Sequence, residues 1–353
     1  MKRILSLVLA VVMVLAVFSA MAMAEEKMYI PVMAKGFQHQ FWQTVYAGAQ
    51  QAATDYNVDI YFDGPASETN IDEQVEMLKA EMAKNPAAIA LASLSTDSVM
   101  TELQECMEKG IPVIGFDSGV PNAPEGSIYA TASTNNENAA ALAAEMLYAK
   151  EGFADMLAAA TAENPAVIAV ISQEAVSGSI VGRTTGFVNK LKELASANGT
   201  VSVTGHDIWK NEVADANIVI HVQISATTEA TDVATASNAV LNMDNLKAVF
   251  LSNEGAVTGF LAATADGSDL ADGNRYEDLI VVGFDAGAPQ KNAIRNNWFY
   301  GSVTQDPYQI GYKSVELAVK AAKGENVSDV DTGAQWYNAE NIEDEMISML
   351  VYD

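Results

Sequence analysis

Short apolar runs rich in β-branched residues alternate with longer amphipathic segments along most of the chain. This strand–helix–strand order is typical of a parallel sheet with helices on both faces. The alternation restarts after an Ala-rich helix expected at 135–149, so the sequence predicts an α/β fold of two doubly wound parallel-sheet halves. The predicted strands are Tyr29–Met33, Val58–Phe62, Ala87–Ala92, Ile111–Phe116, Ile128–Thr131, Val167–Ile171, Ile218–Gln223, Ala248–Leu251 and Leu279–Phe284. The predicted helices before the restart are Phe41–Tyr56, Asn70–Lys84 and Val99–Lys109.

The first 24 residues predict a secretory signal peptide. Lys2 and Arg3 precede an apolar run at 4–18, and Ala22-Met23-Ala24 supplies a cleavage site of small residues. The mature protein is therefore expected to begin at Glu25, with an uncleaved signal anchor as the alternative. The rest of the sequence holds no apolar stretch long enough to span a bilayer.

The composition describes a strongly acidic globular protein. Half of the 353 residues are hydrophobic, and 46 acidic residues against 19 basic ones give a net charge of −27. Such a surface repels nucleic acid and anionic lipid, so neither is expected as a partner. The only cysteine, Cys106, allows no intramolecular disulfide and lies far from the cleavage site, so no lipid anchor is expected. It shares one helical face with Val99 and Leu103, which predicts a buried side chain.

Signatures of catalysis and metal binding are missing. No nucleophile elbow, P-loop or dinucleotide-binding glycine motif occurs, and His39, His206 and His221 show no metal-ligand spacing. The segment 266–274 is rich in Asp and Gly, but its oxygens do not follow the spacing of a calcium loop. We therefore expect no enzyme activity, no metal and no cofactor.

Two strands end in similar sequences that carry a carboxylate. Val113-Ile114-Gly115-Phe116-Asp117 resembles Val281-Val282-Gly283-Phe284-Asp285, and a glycine follows two residues later in both. Ligands of open α/β sheets bind beyond the carboxyl ends of the strands, so the pair is a candidate ligand site. The alternative is that each Asp caps the helix that follows.

Aromatic residues stand beside polar ones at the start of the first helix, in His39-Gln40-Phe41-Trp42. Two adjacent aromatics there are not expected to face one core, so one of them is expected to face outward. An aromatic face beside polar groups suits a ligand with an apolar face and a hydroxylated rim, such as a pyranose or furanose. The alternative is one core aromatic and one surface aromatic.

Ordered motifs along the whole mature chain resemble those of the periplasmic sugar-binding proteins of the ribose-binding type, whose fold the ligand domains of LacI-type repressors share. They are Phe41-Trp42 with Ala47-Gly48-Ala49, Ile111-Pro112-Val113-Ile114 ending in Asp117, Arg183-Thr184-Thr185-Gly186-Phe187, Ala248-Val249-Phe250-Leu251-Ser252-Asn253-Glu254, Val281-Val282-Gly283-Phe284-Asp285, and Gly301-Ser302-Val303-Thr304-Gln305-Asp306-Pro307. The resemblance implies the type I periplasmic binding protein fold, in which two lobes joined by three hinge crossings close about a ligand. It places one lobe at 25–133 plus 306–331 and the other at 134–305 plus 332–353.

The resemblance also implies ligand-contacting positions. They are His39, Phe41, Trp42, Asp117, Arg183, Asn253, Asp285 and Gln305. Ser118 stands where ribose binders carry a second arginine, so ribose itself is in question. Lys35 is a further candidate, and Trp209 is another because it lies in an apparent insertion at 199–216. For Arg183 a surface ion pair, and for Asn253 a helix cap, are the alternatives.

The expected function is an exported, monomeric receptor, free in the periplasm, that captures a monosaccharide and delivers it to a membrane ABC permease. Within binding proteins, the alternatives are a polyol, a nucleoside or a furanosyl signalling molecule as the ligand, and a sensory role. A repressor of the same fold would need an N-terminal helix-turn-helix, where this chain has a signal sequence. An exported glycosidase would need two poised carboxylates, for which Asp117 and Asp285 are the candidates.

Overall fold

The computed structural model describes residues 27–37 and 39–352. The predicted signal peptide and its cleavage site lie outside the described residues. The strands are β1 Tyr29–Met33, β2 Asp59–Asp63, β3 Ile89–Leu91, β4 Val113–Phe116, β5 Ile128–Ser133, β6 Ala166–Ser172, β7 Val201–Gly205, β8 Ile218–Ile224, β9 Leu246–Leu251, β10 Ile280–Phe284, β11 Gly301–Gln305, β12 Val330–Asp331 and β13 Ala334–Tyr337. The helices are α1 Gln40–Tyr56, α2 Ile71–Met82, α3 Met100–Lys109, α4 Asn136–Tyr148, α5 Phe153–Ala158, α6 Gly178–Ala195, α7 Ala230–Leu241, α8 Glu254–Ala263, α9 Ala288–Arg295, α10 Pro307–Ala322 and α11 Glu345–Ser348.

The strands form two sheets. The first has the order β12-β5-β4-β3-β1-β2 and the second the order β13-β11-β10-β9-β6-β8-β7. Every pair of neighbouring strands is parallel except β11 and β13. The central strand β6 is buried along its whole length, as expected for a strand covered by helices on both faces. The predicted α/β fold with two parallel-sheet lobes is confirmed.

Each sheet contains a point where the chain changes direction across it. Strand β1 lies between β2 and β3, and strand β6 lies between β8 and β9. The connection from β1 to β2 therefore runs to the opposite side from that between β3 and β4, and the connection from β6 to β7 to the opposite side from that between β9 and β10. Each reversal opens a crevice at the carboxyl ends of the strands. The two crevices lie at the edges of the sheets where the predicted site residues are found.

Two glycines let the helices α1 and α10 pack closely on the first sheet. A Cβ atom on Gly48 would lie 2.0 Å from the carbonyl oxygen of Tyr308, and one on Gly311 would lie 1.9 Å from that of Val45. Real Cβ atoms do not approach backbone that closely, so any side chain at either position would push the helices apart. In the second lobe the Phe187 and Phe250 rings stack with their centroids 4.1 Å apart.

The segment 199–216, interpreted from the sequence as an insertion, includes the edge strand β7. Val201 and Val203 are buried while Thr204 is half-exposed, and β7 pairs in parallel with β8. The alternation Val201-Ser202-Val203-Thr204 is typical of an edge strand, but it is only four residues long and lies in a segment that was interpreted as an insertion. Strands β11, β12 and β13 were also not predicted: β12 and β13 are short, with two and four residues, and β11 contains one large apolar residue, Val303, among small and polar ones.

Cys106 lies on the inner face of helix α3 with 1% of its surface exposed, so the predicted burial is confirmed. Burial raises the pKa of its thiol to about 11. Because the thiolate is the reactive form, this thiol is poorly reactive at neutral pH.

The chain passes between the two sheets at three places: between β5 and β6, between β11 and α10, and between β12 and β13. The first and third passages run side by side, because the N–H of Thr332 donates to the carbonyl of Ser133 over 3.0 Å. The Thr134 hydroxyl also donates to the carbonyl of Gly333 over 3.1 Å. Within residues 27–37 and 39–352, no helix combines the length and apolar character that a membrane crossing requires.

Candidate functional site

The carboxyl ends of strands from both sheets meet in a cleft between the lobes. From the first sheet, Lys35 follows β1 and Asp117 follows β4; from the second, Asn253 follows β9 and Asp285 follows β10. Polar side chains that are distant in sequence thus converge at the edge where ligands of α/β folds bind. The lining residues are Lys35, His39, Phe41, Trp42, Glu68, Asp117, Gln173, Ser179, Ile180, Arg183, Asn253, Glu254, Asp285 and Gln305.

A buried ion pair occupies the first-lobe side of this cleft. The Nζ atom of Lys35 lies 3.1 Å from Oδ2 of Asp117 and donates a 3.1 Å hydrogen bond to the Ser179 hydroxyl of the second lobe. Burial by itself would lower the pKa of Lys35, but the charges of Asp117, Glu68 and Glu174 raise it above the ordinary value. Lys35 is therefore a fixed cation at the centre of the cleft.

Asp285 organises the second-lobe side. Its carboxylate accepts hydrogen bonds from Gln305 Nε2 at 2.6 Å, from the Arg183 guanidinium at 3.3 Å and from the backbone N–H of Glu254 at 3.0 Å. The φ angle of Asp285 is 74°, a left-handed conformation that Asp tolerates better than most residues. The turn after β10 therefore directs the carboxylate towards three donors on separate elements.

The Arg183 guanidinium is fixed on several sides. Its Nε donates to Asn136 Oδ1 over 2.8 Å and its Nη1 to the carbonyl of Ser252 over 3.2 Å, while its Cζ lies over the Phe284 ring, 4.0 Å from the centroid. With 3% of its surface exposed, Arg183 is not the surface ion-pair residue considered as an alternative. A planar fork held in this way is suited to donate to ligand oxygens.

Phe41 and Trp42 both lie buried in the cleft, with 6% and 2% of their surfaces exposed. The expectation that one of them faces outward is therefore wrong. Their rings pack edge to face, 5.0 Å between centroids, and Trp42 also packs against Phe116. Both fit in one buried cluster because Trp42 packs against Phe116 of the first sheet while Phe41 packs against Tyr352 near the C-terminus, 6.3 Å between centroids.

Glu68 and Gln173 line the cleft but carry no motif in the sequence. The Glu68 carboxylate accepts hydrogen bonds from Trp42 Nε1 at 3.0 Å and from Gln173 Nε2 at 2.8 Å. Burial by itself would raise the pKa of Glu68, but the charges of His39 and Lys35 and these two hydrogen bonds lower it. In the sequence, Glu68 is only a turn residue before α2 and Gln173 only a polar residue after β6. Nothing else there marks either of them as a site residue.

Glu254, at the start of α8, was also missed. Its carboxyl faces the backbone N–H groups of Gln40 and Phe41 at the start of α1, where no side chain of α1 itself provides a cap. Burial raises the pKa of Glu254 to about 7; His39 lowers it and the nearby Asp285 carboxylate raises it. The second lobe therefore supplies a carboxyl to the first helix of the first lobe.

Further hydrogen bonds join the lobes around the cleft. The Ser67 hydroxyl donates to Glu229 over 2.9 Å, the Thr69 and Thr228 hydroxyls lie 2.8 Å apart, and the N–H of Ala288 donates to Gln40 Oε1 over 3.0 Å. The lobes are thus in contact, and the free space among the inner polar groups is about 30 Å³. That space holds roughly two water molecules.

The remaining predicted site residues are Asn253, Ser118 and Trp209, and only Asn253 lines the cleft. Asn253 lines the cleft and also caps α8, since its Oδ1 accepts from the N–H of Ala256 over 3.1 Å. Ser118 does not line it; the Ser118 hydroxyl donates to the carbonyl of Ser93 over 3.0 Å and lies 3.2 Å from Oδ2 of Asp117. Trp209 packs in the core of the second lobe and donates to the Thr185 hydroxyl over 2.9 Å. The structure therefore does not place Trp209 with the other candidates.

Two α/β lobes that enclose a buried, polar and aromatic cleft define a solute receptor of the two-lobed type. The family described as periplasmic binding protein domain matches residues 30–326. The chain belongs to this family.

Relatives extend over nearly the whole chain. The D-allose-binding periplasmic protein of Escherichia coli is 23% identical over 92% of this chain and 93% of its own length. A solved structure described as an ABC transporter, LacI family transcriptional regulator from Brachyspira murdochii is 40% identical, with a TM-score of 0.78, over 93% of this chain and 99% of its own. A carbohydrate transporter solute-binding protein from Agrobacterium radiobacter, in complex with D-arabinose, is 25% identical with a TM-score of 0.77, over 93% and 100%. The chain is thus similar to binding proteins of transport systems rather than to enzymes.

Proposed function

We propose that this protein is an exported receptor that captures a monosaccharide between its two lobes and delivers it to an ABC-type sugar importer. One relative named above is described as D-allose-binding and another as in complex with D-arabinose, and the second shares the fold over its whole length. The ligand makes its contacts in the cleft and undergoes no chemical change there.

The observation that carries this proposal is the mixture of buried groups that both lobes bring to one cleft. A sugar hydroxyl both donates and accepts, so it needs carboxylates beside amides and cations. Asp117 and Lys35 supply these from one lobe, and Asp285, Arg183 and Gln305 from the other. Hydrogen bonds to charged groups contribute about 1.5–3 kcal/mol each and neutral ones about 1 kcal/mol.

The ligand takes over contacts that the cleft groups now make with one another. In the closed structure Lys35 bonds to Asp117 and Gln305 bonds to Asp285, so each donor already has a carboxylate partner. A sugar entering between opened lobes would exchange these contacts for its own hydroxyls. His39 and Asn253 add polar contacts at the rim, while Phe41 and Trp42 pack against the apolar face of the ring.

Closure links the ligand to the permease. We place one lobe at 25–133 plus 306–331 and the other at 134–305 plus 332–353, which puts a hinge at each passage between the sheets. Because three thin connections bend without repacking either core, the lobes can close as rigid bodies. A membrane permease then distinguishes the occupied receptor by its closed shape.

The proposal includes a periplasmic location without a lipid anchor and a monomeric state. It also excludes nucleic acid as a partner, because the chain has 46 acidic residues and only 19 basic ones and would be repelled by phosphates. Gel filtration with light scattering and fractionation of expressing cells test the monomer and the location.

Thermal melting of the mature protein against aldopentoses, hexoses, polyols and nucleosides tests the proposal. A ligand at 1,000 times its dissociation constant stabilises the protein by about 4 kcal/mol, which a melt detects. We expect a shift with one or two monosaccharides that is lost in Asp285→Ala and kept in Asp272→Ala, which alters an exposed carboxylate of the same lobe. A shift with polyols or nucleosides alone would disprove the assignment of a sugar ligand.

A further inference from the structure

A second cavity of about 320 Å³ adjoins the inner cleft. Lys35, Glu68 and Gln173 line both spaces, so the second cavity continues the first and is not a separate site. Residues of both lobes form its walls: Ile71 and Leu94 on one side and the chain from Ile224 to Thr228 on the other. Closure of the lobes therefore encloses the second cavity as well as the first.

Most of the wall is apolar, with hydroxyl groups at intervals. Ile71, Leu94 and Ile224 provide aliphatic surface, and Thr69 and Thr228 provide hydroxyls. Ser225 also lines the cavity; it is 8% exposed, and among the described residues its buried Oγ has no hydrogen-bond partner. An unsatisfied buried hydroxyl destabilises the protein, and a ligand oxygen would satisfy it.

The charges around the cavity disfavour an anionic ligand. Glu68 and Glu174 line it, and Lys35 is the cation near both, already paired with Asp117. Burial raises the pKa of Glu174, because the carboxylate is poorly solvated there. His206 stands at the wall formed by the second lobe. A phosphate group in this cavity would be repelled by the two carboxyl groups that line it, whereas an uncharged group would not be.

We propose that the cleft takes a neutral glycoside, with its sugar ring among Asp117, Arg183 and Asp285 and its uncharged substituent in this second cavity. The inference rests on the proposed function and extends it from the sugar ring to the group attached to that ring. A substituent of mixed apolar and hydroxyl character matches the aliphatic wall and the Ser225 hydroxyl. Once the ring has displaced the contacts among the inner polar groups, whose free space is about 30 Å³ in the closed structure, the second cavity of about 320 Å³ is the space left for a substituent.

Calorimetric titration of matched probes tests the inference. The probes are D-allose, D-ribose and D-arabinose, each as the free sugar, the phenyl glycoside and the 1-phosphate. For the sugar that binds, we expect the phenyl glycoside to bind about tenfold more tightly than the free sugar, because the phenyl ring buries apolar surface. We expect the 1-phosphate to bind at least about tenfold more weakly than the phenyl glycoside, because of the two carboxyl groups.

The variant Ile71→Trp fills the cavity without touching the inner cleft, and Ile71→Val is its matched control. We expect Ile71→Trp to weaken binding of the phenyl glycoside about tenfold or more. Its affinity for the free sugar should change less than about threefold. If the wild type binds a free sugar but none of the substituted sugars, the inference is overturned and the proposed function stays intact. Equal weakening of free and substituted sugar in Ile71→Trp would overturn it too, since the ring itself would then occupy the second cavity. Failure of these probes and of every other aldopentose and hexose of the melting panel to bind would overturn the proposed function.

Discussion

Gln173 Nε2 donates a 2.8 Å hydrogen bond to the Glu68 carboxylate, across the cleft and between residues 105 positions apart in the chain. Both side chains are buried, with 2% and 7% of their surfaces exposed. The same carboxylate accepts from Trp42, so one acidic residue connects the aromatic wall of the first lobe to the second lobe. This bond belongs to the closed arrangement, because Glu68 and Gln173 come from different lobes.

Gln173→Ala should shift the ligand-free protein towards an open arrangement. It removes a hydrogen bond to a charged group, and such bonds contribute about 1.5–3 kcal/mol, which corresponds to a loss of roughly ten- to a hundredfold in ligand affinity. Small-angle X-ray scattering should give a larger radius of gyration than in the wild type. Gln50→Ala, at an exposed position of α1, is the control, and unchanged scattering in Gln173→Ala would contradict the prediction.

Arg183→Lys should weaken ligand binding although it keeps the charge. Lysine cannot donate at once to Asn136, the carbonyl of Ser252 and Asp285, and it loses the planar contact with Phe284. We expect unfolding to become easier by about 1–3 kcal/mol, measured by urea denaturation, because buried acceptors lose their donors.

Arg295→Lys provides the comparison for Arg183→Lys. Arg295 forms an exposed ion pair with Glu343, 2.9 Å between Nη2 and Oε1. Exposed pairs contribute about 0–1 kcal/mol, so this variant should be close to the wild type in both stability and affinity. Equal effects of the two substitutions would show that the guanidinium of Arg183 has no special role.

Glu254 should make the protein less stable as the pH rises from about 4.5 to about 7. Its pKa is about 7 in the folded protein against 4.5 ordinarily, so the folded state holds the proton over this interval and the unfolded state does not. The stability that the neutral form supplies is present below pH 4.5 and lost above pH 7, by about 3 kcal/mol, since one pKa unit corresponds to about 1.4 kcal/mol.

Glu254→Gln should remove this dependence, because its side chain carries no ionisable group. Urea denaturation at pH 5 and pH 8 should therefore show a smaller difference in the free energy of unfolding than in the wild type. Glu277→Gln, at an exposed position, should keep the full difference. An identical pH profile in Glu254→Gln and the wild type would contradict the assignment of the effect to this carboxyl.

Trp209→Phe should lower stability and leave ligand affinity unchanged. The indole N–H donates to the Thr185 hydroxyl, and the loss of such a bond costs about 1 kcal/mol. Thermal melting without ligand measures the loss, and calorimetry measures the affinity. Trp42→Phe is the comparison within the cleft, since it should weaken ligand binding. A loss of affinity in Trp209→Phe would restore Trp209 as a ligand contact.

Gly311→Ala should be strongly destabilising. The added methyl group would meet the carbonyl oxygen of Val45 at 1.9 Å, so the helices α1 and α10 must separate. We expect a loss of about 3 kcal/mol or more, at the upper end of overpacking, because backbone atoms cannot move aside like a side chain. Ala47→Gly, at an exposed position of α1, should cost only about 1 kcal/mol of helix propensity. Urea denaturation distinguishes the two.

The sequence by itself determined the local elements and the positions where polar groups leave the sheets. Alternation of apolar strands with amphipathic helices depends on neighbouring residues, so α1 and β6 were predicted close to their bounds, although no bounds were predicted for the long helices α6 and α10. Asp117 and Asp285 were found for the same reason, because each follows its strand directly. The strands β7, β11, β12 and β13 were not predicted, since they lack a run of apolar residues and each is fixed by pairing with a neighbouring strand.

Only the tertiary structure decided which distant groups meet. Glu68, Gln173 and Glu254 lie in turns or at a helix start, and their roles arise from partners in the opposite lobe. The burial of both Phe41 and Trp42 depends on a cleft wall that the first lobe does not form alone. Trp209 packs in the core of the second lobe, where its indole N–H donates to the Thr185 hydroxyl. Contacts between residues 100 or more positions apart follow from how two sheets are placed, and local sequence carries no record of that placement.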